Sequence, residues 1–178
     1  EAEKRGLPNL RKTPQALAVL NEESTAKLFD KLNILNPREL KSRYHVKLEQ
    51  YITNVEIELD ALNQLIDQSI LPAAIAERTV ACSDVAAQIS VFGRENADTT
   101  RAAQLQETIG QLHQSRKQLN DAIETNHAID DEQAKAEHLA FNVASAASDV
   151  REICDSLELL VDDQRWPLPR YREMLFQN

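Results

Sequence analysis

The chain has 178 residues, a formal net charge of −9, 28% charged residues and three glycines. The excess of acidic residues disfavours a surface that binds nucleic acid or an anionic membrane, because phosphate groups would be repelled overall. So few glycines exclude a glycine-rich nucleotide loop, and the lack of alternating β-branched residues favours helix over sheet. A short basic group near the start is interpreted as a solvated face. It consists of Lys4, Arg5, Arg11 and Lys12.

The cysteines and the apolar runs indicate the cellular setting. Cys82 and Cys154 each fall within a helical apolar pattern, so we expect both thiols to be buried. The absence of a dense cysteine framework favours a reducing, cytoplasmic compartment. No apolar run approaches the roughly 20 residues that span a bilayer, and we expect neither a membrane segment nor a signal peptide.

Residues 1–35 are predicted to form a junction segment followed by two short helices. Thr13 is suited to cap the first helix, and Pro14 is suited to its first position. The second helix is expected to begin at Asn21 or Ser24. Its apolar side consists of Leu28, Phe29, Leu32 and Leu35. Neither helix is long enough to be stable alone, so we expect both to lie across one end of a bundle.

A long amphipathic helix is predicted to start at Asn36. Asn36 is a good N-cap, Pro37 suits the first helical position, and Glu39 can accept a hydrogen bond from the cap residue. Apolar residues then recur at spacings of three and four, which places them on one side of a helix. They are Leu40, Tyr44, Leu48, Tyr51, Val55, Leu59, Leu62 and Ile66. This helix would be roughly 50 Å long before Pro72 interrupts it.

Pro72 is expected to kink the helix rather than to reverse the chain. Its ring removes one backbone hydrogen bond and pushes against the carbonyl of Gln68, which places the kink at about residues 68–72. The apolar pattern resumes immediately afterwards. It continues through Ile75, Val80, Val85, Ile89 and Phe92. Residues 93–98 carry turn-forming side chains and should reverse the chain.

Residues 98–126 and 130–163 are predicted to form a helical hairpin. The first helix has an apolar seam interrupted by Arg116. That seam contains Leu105, Ile109, Leu112, Leu119 and Ile123. The second helix follows a heptad pattern. Its seam contains Leu139, Val143, Ala146, Val150, Ile153, Leu157 and Leu160. We therefore predict an all-α fold, an antiparallel up-down helical bundle with a long Pro-kinked helix, a helical hairpin and short N-terminal helices.

Residues 36–178 are assigned to the bundle together with a tail rich in Trp and Pro, and the whole chain is predicted to be one domain. Pro167 and Pro169 favour an extended segment, after which residues 171–176 could form one closing turn. Large apolar side chains are concentrated in this tail. They are Trp166, Leu168, Tyr171, Leu175 and Phe176. We expect the tail to pack on the bundle or, alternatively, to bind a partner chain.

The sequence contains no pattern typical of catalysis. A di-iron bundle needs two Glu-x-x-His pairs, and this chain has one, Glu124 and His127, which chance explains. Nucleophile motifs and Cys/His pairs are also lacking. We therefore predict no catalytic, cofactor-binding or metal-binding residue in this segment.

Two stretches are unusual for a generic bundle. The first runs through Gly6-Leu7-Pro8-Asn9-Leu10 to Thr13-Pro14 and Ala16-Leu17, and the second runs from Trp166-Pro167-Leu168-Pro169 to Phe176. Four shorter motifs lie between them. They are Ser42-Arg43-Tyr44, Leu48-Glu49-Gln50-Tyr51, Ile57-Glu58 and Ile70-Leu71-Pro72-Ala73. In this order the motifs resemble the C-terminal helical region of type III glutamine synthetases. The resemblance covers nearly the whole chain and is weakest from Cys82 to Leu139.

This resemblance implies a parent protein that ligates ammonia to L-glutamate using ATP, in glutamine biosynthesis. It implies ATP and Mg²⁺ or Mn²⁺ in an upstream catalytic region of the same chain, none bound by this segment, and a ring-shaped homo-oligomer. No catalytic residue of the family maps to a position here. An alternative from another class is a free-standing helical adaptor or oligomerisation module, and a metal-binding bundle is a third possibility.

Overall fold

The computed structural model describes Glu1 and residues 3–175, and that part of the chain contains helices and turns but no strand. The prediction of an all-α fold is therefore confirmed. The α-helices of the described residues are α1 (Thr13–Ala18), α2 (Glu23–Lys31), α3 (Pro37–Leu65), α4 (Leu71–Phe92), α5 (Thr100–His127), α6 (Glu132–His138), α7 (Ala144–Leu160) and α8 (Tyr171–Leu175). Two π-helical turns, Ile66–Ile70 and Leu139–Val143, join α3 to α4 and α6 to α7.

The chain divides into two compact units. The first unit comprises Glu1–Glu58 and Asn120–Ser145, and the second comprises Leu59–Leu119 and Ala146–Asn178. Each unit therefore combines segments that are far apart in the sequence. The antiparallel order of the whole bundle stays a prediction.

The start of α3 has the capping geometry that the sequence predicts. The side chain of Asn36 accepts a hydrogen bond from the Glu39 amide at 2.9 Å, and the Glu39 carboxylate accepts one from the Asn36 amide at 2.9 Å. These two bonds satisfy donors that a helix start otherwise leaves unpaired. The predicted apolar side of this helix is also buried at most positions. Its buried members are Leu40, Tyr44, Leu48, Leu59 and Ile66, and Ile52 joins them.

The long helix continues through Pro72, as predicted. A π-helical turn immediately precedes the proline, and within it the Leu71 amide donates to the carbonyl of Ile66. Pro72 has no amide hydrogen to donate, and it lies at the start of α4, where that loss matters least. The helix absorbs the proline by locally widening its turn, which is a common cause of irregularity within long helices.

The apolar side predicted for α4 is wrong. Ile75, Val80, Ile89 and Phe92 are exposed, and α4 instead buries a narrower set of mostly small residues. The buried set is Leu71, Ala73, Ala74, Glu77 and Ala81. The prediction carried the α3 register through residue 72 unchanged, whereas a π-helical turn accommodates one additional residue and rotates the following helix.

In the second unit, α4 and α5 run in opposite directions. The Asp98 amide donates to the Gln88 side chain at 2.8 Å, and Arg78 donates to Gln106 at 2.7 Å. Residues earlier in α4 therefore pair with residues later along the chain towards and within α5, as in an antiparallel helix pair. Gly93 has a φ of 84°, which suits glycine, and it ends α4. The turn predicted over residues 93–98 is confirmed.

The heptad predicted for the last long helix is interrupted by the second π-helical turn. The positions Val143, Val150 and Leu157 are fully buried, as predicted. At the other seam position, the structure buries Cys154 and Val161 rather than Ile153 and Leu160. After the turn, one of the two predicted seam positions is thus retained, and the other lies one residue later than an uninterrupted heptad would place it.

The tail is ordered around Trp166, which is buried. The Arg170 side chain donates to the carbonyl of Val161 at 3.0 Å and pairs with Asp163 at 2.8 Å. The closing turn predicted at the end of the chain is present as α8, whose last residue is Leu175. The predicted contribution of Phe176 lies outside the described residues.

Candidate interaction surfaces

A cleft of about 530 Å³ lies in the first unit, and polar side chains of α3 and of the α6 start line it. The Tyr44 hydroxyl donates to the Gln133 side chain at 2.9 Å, and Gln133 donates to the carbonyl of Pro14 at 3.1 Å. Gln133 thereby connects α6 to both α3 and α1. These bonds explain why Pro14 is fully buried although its neighbours are not.

The electrostatics of this cleft keep the hydroxyl of Tyr44 protonated. Burial, followed by the nearby carboxylates of Asp131, Glu132 and Glu137, raises the pKa of Tyr44 above its ordinary value. A protonated hydroxyl can donate the hydrogen bond to Gln133, but it is a poor nucleophile or base. His45 is exposed and its Nδ1 lies 3.0 Å from a Glu132 oxygen. The arrangement therefore favours helix packing over chemistry.

The Glu-x-x-His pair of the sequence, Glu124 and His127, lies in the first unit. Among Glu1 and residues 3–175, no group of three His, Cys, Asp or Glu side chains could hold a metal ion. His138 lies 3.3 Å from the Asn126 side-chain oxygen, and both side chains take part in packing. The proximity of Glu124 to His127 in the sequence therefore has no structural counterpart in a ligand cluster. The expectation of no catalytic, cofactor-binding or metal-binding residue stays a prediction.

Sequence reasoning missed a buried carboxylate in the second unit. Glu77 is only 3% exposed, and its two oxygens accept hydrogen bonds from Arg101 at 2.6 Å and from Arg165 at 3.0 Å. A buried carboxylate is tolerated only when it is paired in this way. Arg165 directly precedes Trp166, so the ion pair ties the start of the tail to α4. The available signal was a single acid between Leu71 and Ala81, where most residues are small or apolar.

Arg116 interrupts the predicted α5 seam because it pairs with a carboxylate of the α3–α4 connection. Its guanidinium makes two hydrogen bonds to Asp67 and a third to the Asn63 side chain at 3.3 Å. These hydrogen bonds, opposed by a small desolvation effect, lower the pKa of Asp67. The seam on either side, from Leu105 to Leu119, is buried as predicted.

Helices α2 and α4 leave apolar side chains unburied. No residue of α2 is buried, and Leu28, Leu32 and Ile34 are each more than half exposed. This α2 apolar side, defined as Leu28, Leu32 and Ile34, is therefore available to a partner. Helix α4 also exposes apolar residues, among them Ile75, Val80 and Val91. No described helix is both long enough and apolar enough to cross a membrane.

Backbone hydrogen bonds at the C-terminal end of α2 hold the residues of the α2 apolar side in place. Asn33 has a φ of 54°, and the Ile34 amide donates to the carbonyl of Phe29 at 3.0 Å. The Asn33 amide donates to the carbonyl of Asp30 at 3.0 Å, which completes a Schellman motif. Leu28 and Leu32 are four residues apart and lie on the same side of the helix.

Comparison with known proteins identifies relatives along the whole chain. Residues 1–88 match the sequence model of the family described as the glutamine synthetase C-terminal domain. The match ends near the point where the motif resemblance becomes weak. It includes the α2 apolar side and nearly all of α4, so both exposed surfaces belong to the family region.

Three curated glutamine synthetases align with almost all of this chain. Type-3 glutamine synthetase of Dictyostelium discoideum is 32% identical over 181 residues, which cover 98% of this chain and 25% of that protein. Glutamine synthetase of Bacteroides fragilis is 26% identical over 182 residues, with 99% and 25% covered. That of Butyrivibrio fibrisolvens is 23% identical, with the same coverage. The chain thus spans about a quarter of the length of the curated relatives it matches.

The ordered motifs, the all-helical fold and these alignments agree with one another. The tail motif beginning at Trp166 lies beyond the family model but within the aligned relatives. Over residues 1–88 the chain matches the glutamine synthetase C-terminal domain family, and over nearly its whole length it is similar to curated glutamine synthetases.

Proposed function

We propose that this chain is the structural and assembly domain of a glutamine synthetase. The whole protein would ligate ammonia to L-glutamate using ATP, giving glutamine, ADP and phosphate. The observation that carries the proposal is the alignment of 98% of this chain with a quarter of a type-3 glutamine synthetase. The domain itself would not be catalytic.

In the proposed protein, catalysis belongs to an upstream region of the same polypeptide. ATP and Mg²⁺ or Mn²⁺ would bind there, because phosphoryl transfer needs divalent ions to offset phosphate charge. The assembled enzyme would be a cytoplasmic, ring-shaped homo-oligomer. Within this chain, residues 1–35 would form the junction and residues 36–178 the bundle, together making one domain.

The α2 apolar side supports a contact with that upstream region. An isolated nine-residue helix is marginal in water, so its apolar side gains stability when it is covered. Leu7 and Leu10 of the preceding segment are also exposed, and basic side chains flank them. We therefore propose that the junction packs against the catalytic region through α2.

Glutamine formation by the full-length protein tests the proposal. We expect release of phosphate that depends on glutamate, ammonia, ATP and a divalent ion together. The 178-residue chain alone should be helical by circular dichroism and should form no glutamine. If the full-length protein forms no glutamine under these conditions, the proposal is wrong, and a free-standing helical adaptor becomes the better explanation.

A further inference from the structure

The cleft of about 530 Å³ described above, here called the first-unit cleft, has three walls, and all of them belong to the first unit. Lys41 and His45 line it from α3, Asn21 lines it from the turn after α1, and Asp130 lines it from the segment before α6. Small-molecule sites in proteins typically enclose about 300–1,000 Å³. The first-unit cleft is therefore large enough for a small organic ligand, and its charged groups indicate which kind.

The most buried side chain of the first-unit cleft is held in a fixed position. Tyr44 is only 5% exposed, and its hydroxyl donates to Gln133, which donates in turn to the carbonyl of Pro14. These hydrogen bonds connect α3, α6 and α1, which are the elements that carry the three walls. A cleft with fixed walls loses little conformational entropy when a ligand binds.

Two of the three carboxylates of the first-unit cleft already have partners. Asp131 accepts a hydrogen bond from the Ala134 amide at 2.8 Å, and a Glu132 oxygen lies 3.0 Å from Nδ1 of His45. Asp130, by contrast, makes no hydrogen bond or ion pair to a described residue. The cleft therefore offers one carboxylate without a partner to a ligand.

The α3 wall offers one cation without a partner. The ammonium group of Lys41 makes no hydrogen bond or ion pair to a described residue, although Asp130 lines the same cleft. The fold thus holds these two opposite charges farther apart than the contact distance of an ion pair. A ligand that carries both charges can pair with each of them, and hydrogen bonds between charged groups are the strong ones.

We propose that the first-unit cleft binds a free α-amino acid, with the ligand's ammonium group at Asp130 and its carboxylate at Lys41. An α-amino acid carries these two groups on a single carbon, so one small molecule satisfies both unpaired charges. The side chain of Asn21 also has no partner among the described residues, which favours a ligand with a polar side chain. This binding site goes beyond the proposed assembly role and does not depend on it.

Titration of the ¹⁵N-labelled 178-residue chain, followed by two-dimensional NMR, tests the ligand class with three matched probes. L-Asparagine carries both charges, 3-aminopropanamide lacks the carboxylate, and succinamic acid lacks the ammonium group. We expect L-asparagine to bind roughly tenfold more tightly than either of the others, because each of them loses a charge-assisted hydrogen bond. Equal affinity for L-asparagine and 3-aminopropanamide, or no shift of the cleft resonances with L-asparagine at millimolar concentrations, overturns the proposal.

Two substitutions assign the two ends of the ligand. Lys41→Gln should abolish the preference for L-asparagine over 3-aminopropanamide, and Asp130→Asn should abolish the preference over succinamic acid. Both residues are exposed, so neither change should disturb folding.

Lys47→Gln is the matched control, because Lys47 is an exposed lysine of α3 that does not line the cleft. It should leave the affinities for all three probes unchanged. An equal loss of L-asparagine binding in Lys47→Gln and Lys41→Gln overturns the assignment of the carboxylate to Lys41. These measurements require no ligase activity, so their failure is distinguishable from failure of the proposed function.

Discussion

At the scale of single residues, the pair of Arg116 and Asp67 shows why a charge occurs within an apolar seam. The guanidinium is about one-fifth exposed, while the carboxylate is about half exposed. A bidentate pair of this kind has a fixed geometry, although solvent reduces its energy. The arginine therefore serves as a positioning contact between α5 and the π-helical turn that contains Asp67.

The lowered pKa of Asp67 predicts how Asp67→Asn changes stability with pH. Because the folded pKa lies below the ordinary carboxyl value, the charged pair stabilises the fold fully above about pH 5 and less as the pH falls. We expect the variant to lose at most about 1 kcal/mol at pH 7, because the pair is partly exposed. The difference should vanish in strong acid. Urea unfolding at several pH values measures it.

Asp60→Asn provides the matched control, since Asp60 is an exposed carboxylate on α3 with no hydrogen bond or ion pair to a described residue. The Asp60→Asn variant should have the same free energy of unfolding as the original chain at each pH tested. A loss in Asp67→Asn that is as large in strong acid as at pH 7 would show that the effect is not electrostatic.

The two cysteines should differ in reactivity. Burial, with a smaller contribution from Asp155, raises the pKa of Cys154 to about 11, whereas Cys82 is exposed. Because the thiolate is the reactive form, Ellman's reagent at pH 8 should modify Cys82 rapidly and Cys154 only after unfolding. Cys82→Ser should therefore show almost no reaction in the native state. Rapid reaction of that variant would contradict the buried position of Cys154.

Cys82 also shows a limit of sequence reasoning at this scale. The residue lies in an apolar pattern, and the pattern predicted burial for both thiols. The prediction is confirmed for Cys154 and wrong for Cys82, because the sequence does not reveal that α4 faces solvent with its apolar side. Glu77 is the opposite case, since an acid is buried at a position outside the predicted apolar pattern.

At the scale of elements, the N-terminus of α3 should depend on its capping residue. Asn36→Ala removes the acceptor for the Glu39 amide, and we expect it to lower the free energy of unfolding by about 1 kcal/mol. Arg38→Ala is the control, because Arg38 is exposed in the same helical turn and makes no hydrogen bond to a described residue. Urea unfolding of both variants measures the difference. Equal stability of the two variants would argue against the cap.

The attachment of the tail should depend on Glu77. Glu77→Ala removes both hydrogen bonds to Arg101 and Arg165, and we expect a loss of about 2 kcal/mol because these bonds involve charged groups. Trp166 is the single tryptophan of the sequence, so its fluorescence reports the tail directly. The emission should shift to longer wavelength, and acrylamide should quench it more strongly, while helicity is retained.

Asp84→Ala is the control for this experiment, since Asp84 is an exposed acid on the same helix with only a local bond to Gln88. It should change neither emission nor quenching. If Glu77→Ala also leaves Trp166 fluorescence unchanged, the ion pair does not hold the tail. The burial of the indole would then be sufficient to attach it.

The sequence predicted one helix start well, because the cap at Asn36 follows from local chemistry that is visible in the sequence. The caps predicted at Thr13 and at Asn21 or Ser24 are wrong, since Lys12 and Glu22 precede α1 and α2 and neither side chain makes a capping hydrogen bond. Both π-helical turns were missed, because an apolar repeat of three and four is compatible with an unbroken helix. Each turn changed which residues are buried after it, most clearly along α4. The partner of Arg116 could not be predicted for a similar reason, since it lies 49 positions away.

At the scale of the whole molecule, the charge distribution connects fold and assembly. The net charge of the chain is −9, while the α2 apolar side carries no charge and α4 has three charged residues, Glu77, Arg78 and Asp84. A domain with this distribution can contact chosen partners without aggregating. The resemblance to glutamine synthetases was predictable from short motifs, whereas these two surfaces required the structure.

The expectation that this segment binds neither metal nor cofactor predicts how the chain responds to metals and to ATP. A ligand that binds only the folded state raises the melting temperature in proportion to its affinity and concentration. We therefore expect Mg²⁺, Mn²⁺, ATP and the chelator EDTA each to leave the melting temperature of the 178-residue chain unchanged. In the full-length protein, ATP with Mg²⁺ or Mn²⁺ should raise it, since the proposed binding site lies upstream. Calorimetry of both proteins under matched conditions measures the difference, and stabilisation of the 178-residue chain by Mn²⁺ would instead support the metal-binding bundle.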